Sequence, residues 1–598
     1  MVSTTVLFLT LAVHLCAQAR ETPQAASYFI DCSSTLNGDG SMQRPWNTLA
    51  AAQAHIFLPG DRIALRRGTV CHGAFAPQGT GSEGKTIRLT AYGEGARPRI
   101  VAAATDRQAL LLFNQQFWQV DSLDIAGGST YGVFVSGDGG LLRHIVLRNL
   151  SVHDVYGSEM KSKDNGLVVV GPSAQPAIFE DISIEGVDAA HTRMWAGILV
   201  GGGPFPYPDD APLNRRIEIR NSTASDVYGD GIVLFRVREG LIAGSAAWQT
   251  GMQPTETIGT PNAIWTWTCT RCSVENSEAF LTDSPGVDGG AYDIDWNDHD
   301  NTVLRNYAHD TQGYCVAVFG AGYKTTNSRV AENLCIDNGL SPRLGALQGA
   351  IYIRTWNGGV IRDLSVEGNR IEWNPRIPSA AAIVSDATSD SSAPTFSRNT
   401  IVSATPWIYH IDGALAGDAN TIQFDGDPLF RVGGQPPRTL SGLQNAGMEQ
   451  GTTVEPRQPS VPLHESLALE ATINPTLDVD GLLSPDVRGQ LMVLRNLGCQ
   501  YSSPRLKVAV HLAAGATKAD VRNAIGDLSA ACPGAIHFDY ATGSAATPIL
   551  RLTASQGKTV REWHSFQNAA ELGGAIRANL GVPDFLPLQN LIQTGASQ

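Results

Sequence analysis

Residues 286–300, Gly-Val-Asp-Gly-Gly-Ala-Tyr-Asp-Ile-Asp-Trp-Asn-Asp-His-Asp, place five aspartates in fifteen positions. Three of them, Asp288, Asp293 and Asp295, surround a short stretch that otherwise reads as a strand. Polarity alternates from Tyr292 to Asp295, so Tyr292 and Ile294 point one way and Asp293 and Asp295 the other. The opposite register would bury both acids, at several kcal/mol each. Side chains at i and i+2 on one face have Cα atoms roughly 6.6 Å apart. Their carboxyl groups can then lie about 5 to 9 Å from each other, a range that holds both acid-pair geometries of glycoside hydrolysis. Asp288 falls at the turn into this strand.

The elements that must position these acids repeat along the chain. Short β-branched runs end in asparagine: Val146-Leu-Arg-Asn149, Ile217-Glu-Ile-Arg-Asn221, Val303-Leu-Arg-Asn306, Val330-Ala-Glu-Asn333, Val366-Glu-Gly-Asn369 and Phe396-Ser-Arg-Asn399. The later intervals, 27, 36 and 30 residues, suit a solenoid whose coils vary by insertions on one side. A second phrase recurs at Asp154-Val-Tyr-Gly157, Asp226-Val-Tyr-Gly-Asp-Gly231 and His309-Asp310-Thr-Gln-Gly313. Short strands, few long amphipathic helices and stacking asparagines predict an all-β chain. Its form is a right-handed parallel β-helix solenoid, with an N-terminal cap and a small C-terminal α/β module. The asparagines are expected to form an internal amide ladder.

Stacking the strands by their leading glycines or turn residues sets Asn262-Ala-Ile-Trp-Thr-Trp267 before Gly290-Ala-Tyr-Asp-Ile-Asp295. Gly313-Tyr-Cys-Val-Ala-Val318 and Gly349-Ala-Ile-Tyr-Ile-Arg354 follow. On that alignment Trp265 and Trp267 share the outward face of Asp293 and Asp295, with Tyr352 and Arg354 further along. Exposed tryptophans beside carboxylates would form a sugar platform, because indole faces stack on the apolar faces of pyranose rings. Asp230 from the preceding coil, and His309 with Asp310 from the following one, complete the expected substrate-binding set. Crowded carboxylates push their pKa values apart, which is what an acid/base pair requires. Plainer roles are open for each: a turn cap for Asp288, turn chemistry for Asp298-His299-Asp300, a coil-corner hydrogen bond for His309-Asp310, and packing under a loop for the tryptophans. Clustered carboxylates with Asn297 would also suit Ca²⁺, although no cofactor is required by the reading.

Residues 28–100 carry Tyr28-Phe-Ile-Asp31, Asn37-Gly-Asp-Gly40, Pro45-Trp46-Asn-Thr-Leu49, Leu58-Pro-Gly-Asp61, Gly68 and Gly79-Thr-Gly81. Pro45 to Phe57 is the expected capping helix. This segment resembles the start of secreted bacterial β-helix proteins that act on carbohydrates, and the likeness runs to Gly426-Asp-Pro-Leu-Phe430. The Asp288/Asp295 spacing resembles that of some β-helix glycoside hydrolases, notably the lacto-N-biosidases, which place two catalytic aspartates seven residues apart near one coil. The likeness implies Asp288 as general acid/base and Asp295 as nucleophile or its assisting partner, with Asp293 beside them. Polysaccharide lyases share the scaffold. They would need a cationic base, for which Lys161, Lys163 and Lys324 are available, and often Ca²⁺. A non-enzymatic carbohydrate-binding or adhesive solenoid is the third class.

The expected order is a signal peptide at 1–19, cap and first coils at 20–100 and β-helix at 101–430. A Gly/Pro-rich extension packed on the solenoid at 431–500 and an α/β module at 501–598 follow. Thr5 to Leu15 is apolar but too short to span a bilayer, and Ala17-Gln18-Ala19 is a small-x-small cleavage signal. The expected location is therefore secreted or periplasmic, with no membrane span. A net charge of −14 supplies no basic stripe for nucleic acid, so the expected partner is an oligo- or polysaccharide. Eight cysteines follow the signal, an even count that permits disulfides. Cys269-Thr-Arg-Cys272 lacks the second ligand pair of a zinc site and reads as a local disulfide or two turn cysteines.

Overall fold

The β-branched runs fold as strands, and each strand pairs in parallel with the equivalent strand one coil away. In the computed structural model, residues 25–457 are described apart from 158–163, 172–176, 203–211, 252–259, 342–348 and 388–389; beyond 457, only the backbone of five strands is described. Three parallel sheets of 14, 14 and 12 strands form the walls of a right-handed parallel β-helix. A typical coil gives Ser273–Glu275 to the first wall, Glu278–Phe280 to the second and Tyr292–Ile294 to the third.

Each coil buries its apolar residues only by stacking on the next. Ile182, Ile217, Val274, Val303, Val330 and Val366 fill the interior at the first wall, all essentially inaccessible. The core is one continuous column running from Ile30 to Leu443. Cys315 and Cys335 form a disulfide between the third and second walls, and Cys32 and Cys71 form another near the amino end. Cys269 and Cys272 are free thiols buried in the column; Cys499 and Cys532 lie outside the described residues.

The corner between the first and second walls is tight and carries the expected ladder. Asn306 Nδ2 donates to Asn333 Oδ1 at 3.1 Å, Asn333 to Asn369 at 2.9 Å, Asn369 to Asn399 at 2.9 Å and Asn399 to Asn420 at 3.1 Å. Upstream the ladder changes residue type rather than stopping. The Val187 amide donates to Ser222 Oγ, the Ser222 amide to Ser245 Oγ, the Ser245 amide to Ser277 Oγ and the Ser277 amide to Asn306 Oδ1. Asn149 and Asn221 stand outside it, in left-handed conformation with φ of 51° and 49°, a geometry asparagine tolerates. The second recurring phrase is also a corner signal, since Asp154, Asp226 and Asp310 all adopt positive φ where the second wall ends.

The corners on either side of the third wall are longer. The connection 281–291, which carries Asp288, is one of them. The outer face of the third wall is therefore the one that insertions border.

The ends of the column are built from short elements. The amino-terminal helix covers only Leu49–Gln53, capped by Thr48, because the chain must turn at once into the next strand. Strands Ser27–Ile30 and Arg62–Arg66 already belong to the first wall, and Thr453–Glu455 is the last strand of the second. The strand Leu467–Ile473, within the expected extension, pairs in parallel with Leu506–Leu512. Leu506–Leu512 pairs antiparallel with Pro548–Gln556, which is flanked by Ile536–Thr542 and Thr559–Arg561. The segments of the expected α/β module outside these strands, and the signal at 1–19, lie outside the described residues. Among the described residues no helix is long and apolar enough to cross a membrane.

Asn369 makes or accepts every rung at its level: its oxygen accepts from the Asn333 amide, and its Nδ2 donates to the Val330 carbonyl and to Asn399. Asn369→Ala strands buried donors and acceptors on both sides, so a loss of about 2–3 kcal/mol is expected in denaturant unfolding.

Candidate functional site

The strand Tyr292–Ile294 has the predicted facing. Tyr292 and Ile294 are in the core column, and Asp293 lies on the outer face, level with Trp265 on one side and Ala317 then Tyr352 on the other. The row continues upstream through Val233, Leu199, Val169 and Phe134. Asp293 is thus a carboxyl set into an apolar stripe. Facing outward does not expose it: only 2% of its surface is accessible.

The glycine alignment is out by one residue in the coil after the acids. Tyr292 pairs with Val316 and Asp293 with Ala317, so Tyr314, not Gly313, stands level with Gly290. The reason is a close approach. A Cβ on Gly290 would lie 2.1 Å from the Tyr314 ring, so only glycine lets that ring cross the strand.

Trp265 and Trp267 do share the face of the acids, yet they are 5% and 1% accessible, not an open platform. Trp267 stacks on Phe235 with ring centroids 4.0 Å apart, and Trp265 packs between Trp195 and Trp267. Large indoles at adjacent levels, about 4.8 Å apart, cover one another. The accessible aromatics are ones the sequence reading did not select. Trp296 stacks on Tyr323 at 4.9 Å and meets Trp267 edge-on, and Trp356 lies against Phe319 under the Arg354 guanidinium. Trp296 directly follows Asp295, but the strand ends at Ile294, so alternation no longer tells its direction.

A hydrogen-bond network ties the acids together. Asp230 Oδ1 accepts from the Asn262 amide at 2.7 Å and from Trp265 Nε1 at 2.9 Å. Asn262 Nδ2 donates to Asp293 Oδ2 at 3.3 Å, and its Oδ1 accepts from the Gly290 amide at 2.9 Å. The Tyr314 hydroxyl lies 2.9 Å from Asn262 Oδ1 and 3.3 Å from Asp288 Oδ1. Asp288 has φ of 68°, and Gly289 follows at 75°, which turns the chain into the acidic strand. Asp295 sits at the strand end, half-buried, its amide bonded to the Thr266 carbonyl and its carboxylate accepting from the Trp296 amide.

Burial, followed by the charges of Asp295, Asp288, Asp298 and Asp230, pushes the Asp293 carboxyl well above the carboxylate range. Its Oδ1 has no hydrogen-bond partner. Burial and the neighbouring Asp288 and Asp295 carboxylates likewise hold Tyr314 as a neutral phenol. The site therefore combines one acid kept protonated with two that solvent can reach.

Arg354 and Tyr352 stand on the same face. Arg354 Nη1 is 3.1 Å from the Tyr352 hydroxyl, Arg354 Nε is 3.4 Å from Asp386 Oδ2, and both residues feel the charge of Asp288. Asp230, Asp288, Asp293, Asp295, Trp265, Trp267, Tyr352 and Arg354 thus belong to one face. His309 and Asp310 do not. They lie on the second wall, where His309 is held between Asp310 Oδ2 at 2.9 Å and Glu278 Oε1 at 3.0 Å and stacks on Phe280. Burial opposes its charge, but the two carboxylates outweigh it and raise the imidazole to about 9. Tertiary pairing across coils, invisible to local spacing, separates it from the acids.

Among the described residues no three His, Cys, Asp or Glu side chains group to hold a metal ion. Lys161 and Lys163 lie outside the described residues; Lys324 is exposed on the short strand Lys324–Thr326, which pairs with Val360–Arg362 outside the third wall.

No family model matches the sequence, and no curated protein does. Among solved structures, the chain is similar to the GH136 lacto-N-biosidase from Eubacterium ramulus, at 19% identity and a TM-score of 0.48, covering 64% of this chain and 68% of that one. It is similar to an alginate lyase from Paenibacillus sp. str. FPU-7, at 13% identity and 0.36, covering 62% and 99%. A mannuronic acid specific polysaccharide family 6 lyase from human gut microbiota matches at 10% and 0.40, covering 72% and 91%.

Asp298, at the corner behind the acids, gives a stability test. It is fully buried and accepts from Thr266 Oγ1 and from the Cys269 amide, both at 2.6 Å. Burial outweighs these bonds and raises its pKa to about 7. The folded state binds this proton more tightly than the unfolded chain, so stability is fully present below about pH 4 and falls as pH rises toward 7. Asp298→Asn should flatten the fall of the thermal midpoint over that interval.

Proposed function

We propose that the protein is a secreted carbohydrate-active enzyme, a glycoside hydrolase whose acids lie on the outer face of the third wall. The observation that carries this reading is the grouping of Asp288, Asp293 and Asp295 around Tyr314, with Asp293 buried and kept neutral. Asp288 is assigned as general acid/base and Asp295 as nucleophile or as the base that assists it. Asp288 sits on a strained turn beside a phenol, where its proton state can respond to a neighbour. Asp295 is half-exposed at the strand end, beside Trp296 and Tyr323, whose indole and phenol rings offer a pyranose an apolar contact.

In this mechanism the sugar oxygen of the scissile bond faces Asp288, which donates its proton as the bond breaks. Asp295 faces the anomeric carbon, either attacking it or activating a water. Asp293 remains protonated and lowers the negative charge of the cluster, so that one neighbour can ionise while the other keeps its proton. Arg354 and Tyr352 lie further along the face, where an adjoining sugar would rest.

The Arg354–Tyr352 pair supports a second reading, a polysaccharide lyase in which the arginine neutralises a uronate carboxylate and the phenol abstracts the neighbouring proton. Against it, burial and the charge of Asp386 push the Tyr352 phenol up to about 12, a poor base at neutral pH. A binding or adhesive solenoid would retain glycan affinity without turnover.

Glycan-panel digestion by wild type, Asp288→Asn and Asp295→Asn separates the three. Hydrolysis predicts new reducing ends without ultraviolet-absorbing unsaturated uronides, and about 10²- to 10⁴-fold lower kcat in each variant with binding retained. Ultraviolet-absorbing products would move the protein to the lyases, and binding with no turnover would leave the adhesive reading.

A further inference from the structure

The Tyr314 hydroxyl lies between two acceptors, 2.9 Å from Asn262 Oδ1 and 3.3 Å from Asp288 Oδ1, and has one proton to give. The Tyr314 ring is completely buried and locked across Gly290. Asn262 is equally fixed, because its Oδ1 also accepts from the Gly290 amide, its Nδ2 donates to Asp293 and its own amide donates to Asp230. A rigid phenol between a permanent acceptor and a titratable one can serve both, in alternation.

We infer that Tyr314 is a positioning residue that stabilises Asp288 in both of its proton states. With Asp288 protonated, its carboxyl donates to the Tyr314 oxygen while the Tyr314 hydroxyl donates to Asn262 Oδ1. Once the Asp288 proton has gone to the departing sugar oxygen, the hydroxyl turns and donates to the Asp288 carboxylate. Asn262 Oδ1 then keeps the Gly290 N–H, so no group is left bare and no proton leaves Tyr314. The role in turnover rests on the hydrolase reading; the hydrogen-bond exchange itself does not. Asp293 in its own coil, and Tyr314, Tyr352 and Arg354 in the coils after, all interact with Asp288. Tyr314→Phe removes one hydroxyl and leaves every other member of that set in place.

A bond from a neutral hydroxyl to a carboxylate is stronger than the same bond to a carboxylic acid. Loss of the hydroxyl therefore favours the protonated form of Asp288. The test is carbodiimide labelling of full-length wild type and Tyr314→Phe across pH, with modification at Asp288 quantified by peptide mass spectrometry. The midpoint for Asp288 should rise by about one pH unit in the variant, while the thermal midpoint shows that the fold is kept. An unmoved midpoint in a folded variant would overturn the inference. Activity gives the second arm. The alkaline limb of kcat/KM should move up with the labelling midpoint, and kcat on oligosaccharide should fall about tenfold to a hundredfold. Aryl glycosides with good leaving groups, which need little protonation, should be nearly spared. Equal loss on both substrates with an unmoved limb would reduce Tyr314 to packing. A shifted labelling midpoint in a protein that cleaves no glycan would sink the hydrolase reading and leave the hydrogen-bond exchange standing.

Discussion

The ladder of side-chain hydrogen bonds at the corner between the first and second walls sets the register of the molecule. A serine hydroxyl or asparagine amide at each level bonds to the backbone or side chain of the next, from Ser222 through Asn306 to Asn420. A parallel strand pair can slide by two residues and keep its facing, at little local cost. A buried polar rung that must find its neighbour cannot slide, because a missed rung leaves unsatisfied groups inside the core. The fixed rungs decide which residues on the distant third wall are level with one another, and so bring Trp265, Asp293 and Tyr352 into one row.

Given that register, the electrostatics of the site follow from its neighbours. Asp293 is hemmed in by side chains at adjacent levels and deprived of water, and the charges of Asp295, Asp288, Asp298 and Asp230 add to the cost of ionising it. An acid in such a place stays neutral unless a cation pairs with it. Arg354 is on the same face but is bonded to Tyr352 and close to Asp386. The neutral acid limits the charge of the cluster, and Tyr314, bonded to Asn262, holds Asp288 in a fixed relation to it.

The second wall gives the contrasting case. His309 is as buried as Asp293 and also has carboxylates for neighbours, yet it carries charge because Glu278 and Asp310 grip its two nitrogens. An imidazolium between two carboxylates is internally compensated, so the His309-Asp310 phrase that reads as site chemistry is a brace of the corner. Its recurrence at Asp154 and Asp226, each with positive φ, has the same origin in the geometry of turning.

Local sequence determined the elements and their facing. Alternation around Tyr292 put Ile294 inside and Asp293 outside, the β-branched runs became strands, and Asn306, Asn333, Asn369 and Asn399 stacked as an internal ladder. These depend on a residue and its near neighbours, which the chain itself specifies. The tertiary structure alone decided how deep each outward side chain lies and what touches it. Trp265 and Trp267 are covered, Trp296 and Tyr323 only in part, Tyr314 takes the level that Gly313 was expected to hold, and His309 belongs to another wall. Burial and cross-coil contact depend on the sizes of side chains far apart in sequence but one level apart in space. A ring such as Tyr314 can enter only where a glycine such as Gly290 makes room.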